Sequence, residues 1–104
     1  MIKVTFLRHE DEYRGFVISG HSGYADEGED IVCSAVSSAA YMTANTLTEI
    51  VGIKADITLD DGHMKFTSVD CTSEVQTIYK GLALHLNALA EQYNRYILCE
   101  EKTV

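Results

Sequence analysis

Cys33 is the residue of this 104-residue chain whose position best suits covalent chemistry. If Asp30 caps a helix that begins at Ile31, Cys33 is the third helical residue and lies in the first turn. Unpaired backbone amides and the positive end of the helix dipole favour a thiolate there. The thiolate is the reactive form of cysteine, so the sequence predicts a nucleophile at this position.

The carboxylates at 26–30 oppose this effect, because nearby negative charge raises the pKa of a thiol. A protonated imidazole from His21 would lower the pKa of the thiol again by pairing with the thiolate. The same imidazole could then exchange a proton with a substrate. We therefore predict that His21 and Cys33 form a catalytic pair.

Two further residues are candidates for supporting roles. Ser37 lies four residues after Cys33, on the same helix face, and could hydrogen-bond the nucleophile or a substrate carbonyl. Asp30 could orient His21, and the backbone amides of the first turn could form an oxyanion hole. In the simpler interpretation Asp30 is only a helix cap and Ser37 only packs.

The segment 20–30 contains three glycines and four carboxylates, which predicts a loop. Loops of this length within compact domains are often functional. Gly20 and Gly23 flank His21 and Ser22 and leave room for a peptide backbone to approach. These residues and Tyr24 are the predicted substrate-contacting part of the loop, although Tyr24 could simply close it.

The remaining cysteines and histidines have weaker settings. Cys71 lies shortly before the second predicted helix and is the strongest competitor to Cys33, whereas Cys99 lies in a predicted strand without a helix dipole. Cys33 itself has a simpler interpretation, because a lone cysteine on an apolar helix is usually a small core residue. The other histidines lack a comparable context: His9, His63 and His85.

We predict neither a metal nor a cofactor. The candidate ligand set fits no standard zinc spacing and consists of His21, Asp26, Asp30 and Cys33. The three cysteines also lack the paired spacing of a zinc ribbon or a disulfide framework.

Apolar periodicity predicts the elements in the first half of the chain. Residues 2–8 and Tyr13–Ser19 alternate as two strands of a hairpin. Small and apolar residues from Ile31 to about Ile50 recur at helical spacing, with Gly52 where a left-handed residue would end the helix.

The second half repeats this organisation. Asp61-Gly62 predicts a tight turn between two short strands. The S-x-x-Q pattern of Ser73–Gln76 predicts a capping box before a long helix. Residues 96–100 predict a last strand. The result is a single domain over residues 1–104, an α+β fold of ββαββαβ order with two helices packed on a mostly antiparallel sheet.

Composition restricts the partners. The net charge of −8 disfavours direct nucleic-acid binding and favours a basic partner. No stretch predicts a signal peptide or a membrane span, and the cysteine pattern suits a reducing compartment. We therefore expect a cytoplasmic protein without membrane contact.

Two strings together resemble the ribosomal-processing cysteine protease family of Firmicutes and related bacteria. The first is Gly20-His21-Ser22-Gly23-Tyr24-Ala25, and the second is Gly28-x-Asp30-Ile31-Val32-Cys33-Ser34-Ala35-x-Ser37. Family members commonly have alanine where this chain has Ser22 and Ser34. The resemblance implies a homodimer that trims the N-terminal extension of large-subunit ribosomal protein number 27. Carried over by position, it implies a nucleophile at Cys33, a general base and acid at His21, and supporting roles for Asp30 and Ser37.

A hypothesis from another class remains open. An acidic loop could bind a basic ribosomal protein without cutting it, as a non-enzymatic ribosome-assembly factor would. Binding without cleavage, unaffected by Cys33→Ser, would distinguish this function from a protease.

Overall fold

The computed structural model describes residues 1–20 and 31–104. The elements follow in the order β1 (Ile2–His9), β2 (Glu12–Ser19), α1 (Ile31–Asn45) with a π-helical continuation (Thr46–Val51), β3 (Asp56–Asp60), β4 (His63–Thr67), α2 (Ser73–Gln92) and β5 (Ile97–Thr103). This order confirms the predicted ββαββαβ arrangement.

The five strands form one sheet in the order β3-β4-β2-β1-β5. The β1–β2, β2–β4 and β3–β4 pairs are antiparallel, whereas β1 and β5 are parallel. Two helices pack against this sheet, so the α+β class and the mostly antiparallel sheet are both confirmed.

The alternation in β1 places its apolar side chains in the core. Ile2, Val4 and Phe6 are at most 1% exposed, while Lys3 between them faces solvent. Phe16 lies opposite Phe66 across the β2–β4 pair, and their rings stack with centroids 5.4 Å apart. Burial of these rings is the hydrophobic driving force that holds the sheet against the helices.

Gly52 ends the first helical segment as predicted. Its φ of 87° is left-handed, and its backbone nitrogen donates to the Leu47 oxygen at 3.0 Å. A glycine reaches this conformation at little cost, so the chain can leave the helix and enter the hairpin of β3 and β4.

The predicted capping box at the second helix is wrong. Thr72 is the N-cap, and its hydroxyl accepts from the Val75 nitrogen at 3.3 Å. Gln76 instead points into the core, where its amide accepts from the Tyr13 nitrogen at 2.6 Å and donates to the Tyr13 oxygen at 2.9 Å. Water can hydrogen-bond the amides of an exposed helix end, but it cannot reach buried backbone groups. The Gln76 side chain therefore hydrogen-bonds the buried backbone of β2 and does not cap the helix.

The two edges of the sheet differ. The β5 edge carries charges, and Lys3 on β1 meets Glu100 at 3.1 Å. The β3 edge carries Ile57, Thr58 and Leu59 between two aspartates, and all five of its residues are exposed. Among the helices of residues 1–20 and 31–104, none is long and apolar enough to cross a membrane.

Candidate active site

A cavity of about 260 Å³ lies between α1 and the tip of the β3–β4 hairpin. Cys33 and Ser37 contribute to it from α1, and Gly62 and His63 contribute from the hairpin. Gly20, at the end of β2, also lines it. The cavity is therefore the place where the described candidate residues meet.

Cys33 is the third residue of α1 and is half-buried against the core. Ser37 follows one turn later and is also half-buried. Both line the cavity because residues four apart share a helix face. A thiol in the first turn, open to a cavity of this size, can reach a carbonyl carbon placed there.

Gly20 is fixed by two neighbours. Its nitrogen donates to the Gly62 oxygen at 2.8 Å, which joins the end of β2 to the hairpin tip. Its φ is 89°, and a Cβ atom at this position would collide with the Met1 carbonyl oxygen. Only glycine adopts this left-handed φ readily and also avoids the collision with Met1 without displacing the backbone.

Several predicted site residues lie outside the described part of the chain. They are His21, Ser22, Gly23, Tyr24 and Asp30. The prediction of a catalytic pair, of a helix cap and of a substrate loop at these positions therefore stays a prediction. The structure does bring together Gly20, Cys33 and Ser37.

His63 is a cavity residue that the sequence analysis missed. It begins β4, is half-buried, and pairs with Ser19 of β2 and Asp60 of β3. No local motif marks it, because its position depends on the register of three strands. Only that register brings it to the cavity that Cys33 lines.

The cavity combines an apolar wall with an acidic rim. Val36 and Met64 are buried beside it, and Asp60 and Asp61 of the hairpin form part of its lining. An apolar wall suits side chains of a peptide, and the carboxylates favour positive charge nearby.

The other two cysteines have pKa values that disfavour the thiolate. A hydrogen bond to Glu12 and the charge of that carboxylate raise the pKa of the exposed Cys71 thiol. Burial raises the pKa of Cys99, whose sulfur donates to the Leu86 oxygen at 3.5 Å. Neither setting produces an activated nucleophile.

The described residues contain no group of three or more histidine, cysteine or acidic side chains that could hold a metal ion. Three members of the candidate ligand set, His21, Asp26 and Asp30, lie outside those residues.

Comparisons with known proteins agree on one family. The family model of the cysteine protease Prp matches residues 1–98. A ribosomal processing cysteine protease Prp from Staphylococcus aureus is 30% identical over 94 residues, covering 88% of this chain and 89% of the relative. The Bacillus subtilis protein of the same name is 27% identical over 101 residues, covering 89% and 90%.

Solved structures agree with this result. The S. aureus ribosomal processing protease Prp with a covalently linked product peptide matches with a TM-score of 0.91 at 29% identity, covering 98% of this chain and all of that one. The protein SMU.848 from Streptococcus mutans matches with a TM-score of 0.87 at 28% identity, covering 100% and 96%. The chain belongs to the cysteine protease Prp family, and it is a cysteine protease.

Proposed function

We propose that this protein is an endopeptidase that removes the N-terminal extension of large-subunit ribosomal protein number 27, with Cys33 as nucleophile and His21 as general base and acid. The observation that carries the proposal is the position of Cys33 in the first turn of α1, facing a cavity that Gly20 also lines. His21 is bonded directly to Gly20. This short covalent connection supports the proposed pairing of the His21 imidazole with the Cys33 sulfur.

The proposed reaction runs through an acyl-enzyme. The Cys33 thiol gives its proton to His21, and the sulfur attacks the peptide carbonyl carbon. The C–N bond then breaks as His21 returns the proton to the leaving amine, which leaves a thioester on Cys33. Water attacks the thioester with His21 as base, the C–S bond breaks, and the thiol and a carboxylic acid are released.

The supporting residues have proposed roles in the same reaction. Amides of the first turn of α1, which have no acceptor within the helix, would stabilise the oxyanion that forms next to Cys33. Ser37 lines the same cavity, and its proposed role is a hydrogen bond to the substrate. Asp30 orients His21 or caps α1, and Ser22, Gly23 and Tyr24 contact the peptide from the glycine-rich segment.

The proposed substrate follows from the relatives and from charge. The S. aureus relative is a ribosomal processing protease whose structures contain a product or a substrate peptide. The cavity rim of this chain carries Asp60 and Asp61, and the whole chain has a net charge of −8. Both favour a basic ribosomal protein. We further propose that the protein works in the cytoplasm, where ribosomal proteins are made, as a homodimer and without direct contact to nucleic acid.

The test is cleavage of the extended ribosomal protein from the same organism by the purified enzyme, followed by mass spectrometry. We expect one truncated product from the wild type and from Cys71→Ala, and at least a thousandfold slower cleavage by Cys33→Ala because the nucleophile is lost. Unimpaired cleavage by Cys33→Ala would refute the assignment. Binding without cleavage, unchanged by Cys33→Ser, would instead indicate the assembly factor.

A further inference from the structure

The outer edge of β3 is an unprotected sheet edge. Within the described ranges, no strand pairs with the side of β3 that faces away from β4. Natural proteins usually protect such edges with charges, proline or a bulge. The β5 edge follows this rule with Glu100, Glu101 and Lys102, but the centre of β3 is Ile57-Thr58-Leu59.

The apolar residues of β3 lie on the core face of the sheet without being covered. Ile57 pairs with Phe66 and Leu59 pairs with Met64, both of which are buried. Side chains opposite each other on paired strands share a face. Ile57 nevertheless remains 47% exposed and Leu59 53% exposed, so the buried layer continues outward as an uncovered apolar shelf.

This shelf is continuous with the proposed active site. Leu59 and Asp60 belong both to β3 and to the lining of the cavity that contains Cys33. Tyr41 of α1, 47% exposed, lines the same cavity across from them. An extended chain bound in the cavity can therefore continue along the edge of β3.

We infer that β3 binds the substrate as an added strand, holding the residues on the N-terminal side of the scissile bond by main-chain hydrogen bonds. The inference rests on the proposed function and adds a binding mode to it. The acyl part of a substrate stays attached to Cys33 until water releases it, so this part gains most from a second anchor. Strand addition is a known way for an open sheet edge to bind a peptide.

The alternation of β3 predicts the side chains that the edge selects. Bound residues on the helix side would lie next to Ile57 and Leu59, which favours apolar side chains at every second position. The bound residues that alternate with them would lie beside Asp56 and Thr58, on the opposite face, which favours basic or polar side chains. The edge therefore fits an extended segment that alternates apolar and basic or polar residues.

The experiment measures binding of synthetic peptides from the extension of ribosomal protein number 27 to the Cys33→Ala enzyme by calorimetry. A long peptide spans cavity and edge, and a short one keeps only the residues next to the scissile bond. Each amide of the long peptide is N-methylated in turn. We expect methylation to weaken binding about tenfold at alternate amides and to have little effect at those between, because only every second amide faces β3.

Protein variants test the same edge. Ile57→Asp should weaken the long peptide about tenfold and leave the short peptide unchanged. Leu84→Asp is the matched control, because Leu84 is 76% exposed on α2, away from the cavity lining. Sedimentation of each variant reports its oligomeric state.

The outcomes separate the two proposals. Equal affinity for long and short peptides, or equal effects at all amides, overturns the strand addition while cleavage by the wild type upholds the proposed function. An altered sedimentation mass of Ile57→Asp with unchanged peptide affinity also overturns it and assigns the edge to a second copy. If the wild type neither binds nor cuts either peptide, both proposals fail.

Discussion

The three thiols of the chain experience three different electrostatic settings. Cys33 lies in the first turn of a helix, Cys71 is exposed beside the Glu12 carboxylate, and Cys99 is half-buried in β5. Positive potential stabilises a thiolate, whereas negative charge and burial destabilise it. These differences should be visible in how fast each sulfur reacts.

We predict that iodoacetamide at pH 7 alkylates Cys33 at least about tenfold faster than Cys71 or Cys99, since the thiolate is the reacting species. Cys71 and Cys99 have pKa values raised from 9.0, so their alkylation should accelerate only as the pH rises past 9. Peptide mapping by mass spectrometry gives each rate. His21→Ala should slow the reaction of Cys33 alone.

Glu12→Gln is the control for this prediction. It removes the carboxylate charge that raises the pKa of Cys71, so Cys71 should react faster while Cys99 is unaffected. Equal rates for all three thiols in the native enzyme would contradict activation of Cys33.

At the scale of elements, Gln76 joins α2 to β2 through both backbone groups of Tyr13. All these atoms are buried, so they have no water to replace a lost partner. The connection fixes the long helix against the strand that leads to Gly20.

We predict that Gln76→Met lowers the free energy of unfolding by about 2–3 kcal/mol, because it keeps the volume but leaves two buried backbone groups unpaired. Urea unfolding measures the change. Gln92→Met, at the exposed end of the same helix, should alter stability by less than about 0.5 kcal/mol. Similar losses in both variants would show that the Tyr13 contacts contribute little.

Local sequence patterns predicted most helices and strands. The features that they could not predict depend on pairing between residues far apart in the sequence. Alternation in β1 and the glycine at 52 encode their structures within a few residues, and both predictions are confirmed. The parallel pairing of β1 with β5 joins residues about 95 positions apart, which no local signal encodes. His63 was missed for the same reason, and Gln76 was misassigned because its partner lies on another element.

At the scale of the whole molecule, charge should govern the encounter with substrate. The net charge of −8 combines with the aspartates at the cavity rim to attract basic chains over a distance that salt shortens. The screening length falls from about 10 Å at 0.1 M salt to about 3 Å at 1 M. Association should be affected more than the chemical step.

We predict that kcat/KM for a lysine-containing substrate peptide falls about tenfold between 0.1 and 1 M sodium chloride while kcat changes little, because screening slows association. Steady-state kinetics at several salt concentrations measure this. A peptide with glutamine in place of each lysine is the control and should show a much weaker dependence. The same salt slope for both peptides would contradict electrostatic attraction.

The parallel pairing of β1 and β5 separates the two ends of the described chain. Ile2 lies at the cavity, whereas the Val104 nitrogen donates to the Arg8 oxygen at 2.8 Å, at the other end of β1. Six residues of strand place these ends about 20 Å apart. A fluorophore or surface linker attached after Val104 would therefore lie away from this cavity, whereas an affinity tag before Met1 would emerge beside Gly20 and obstruct it.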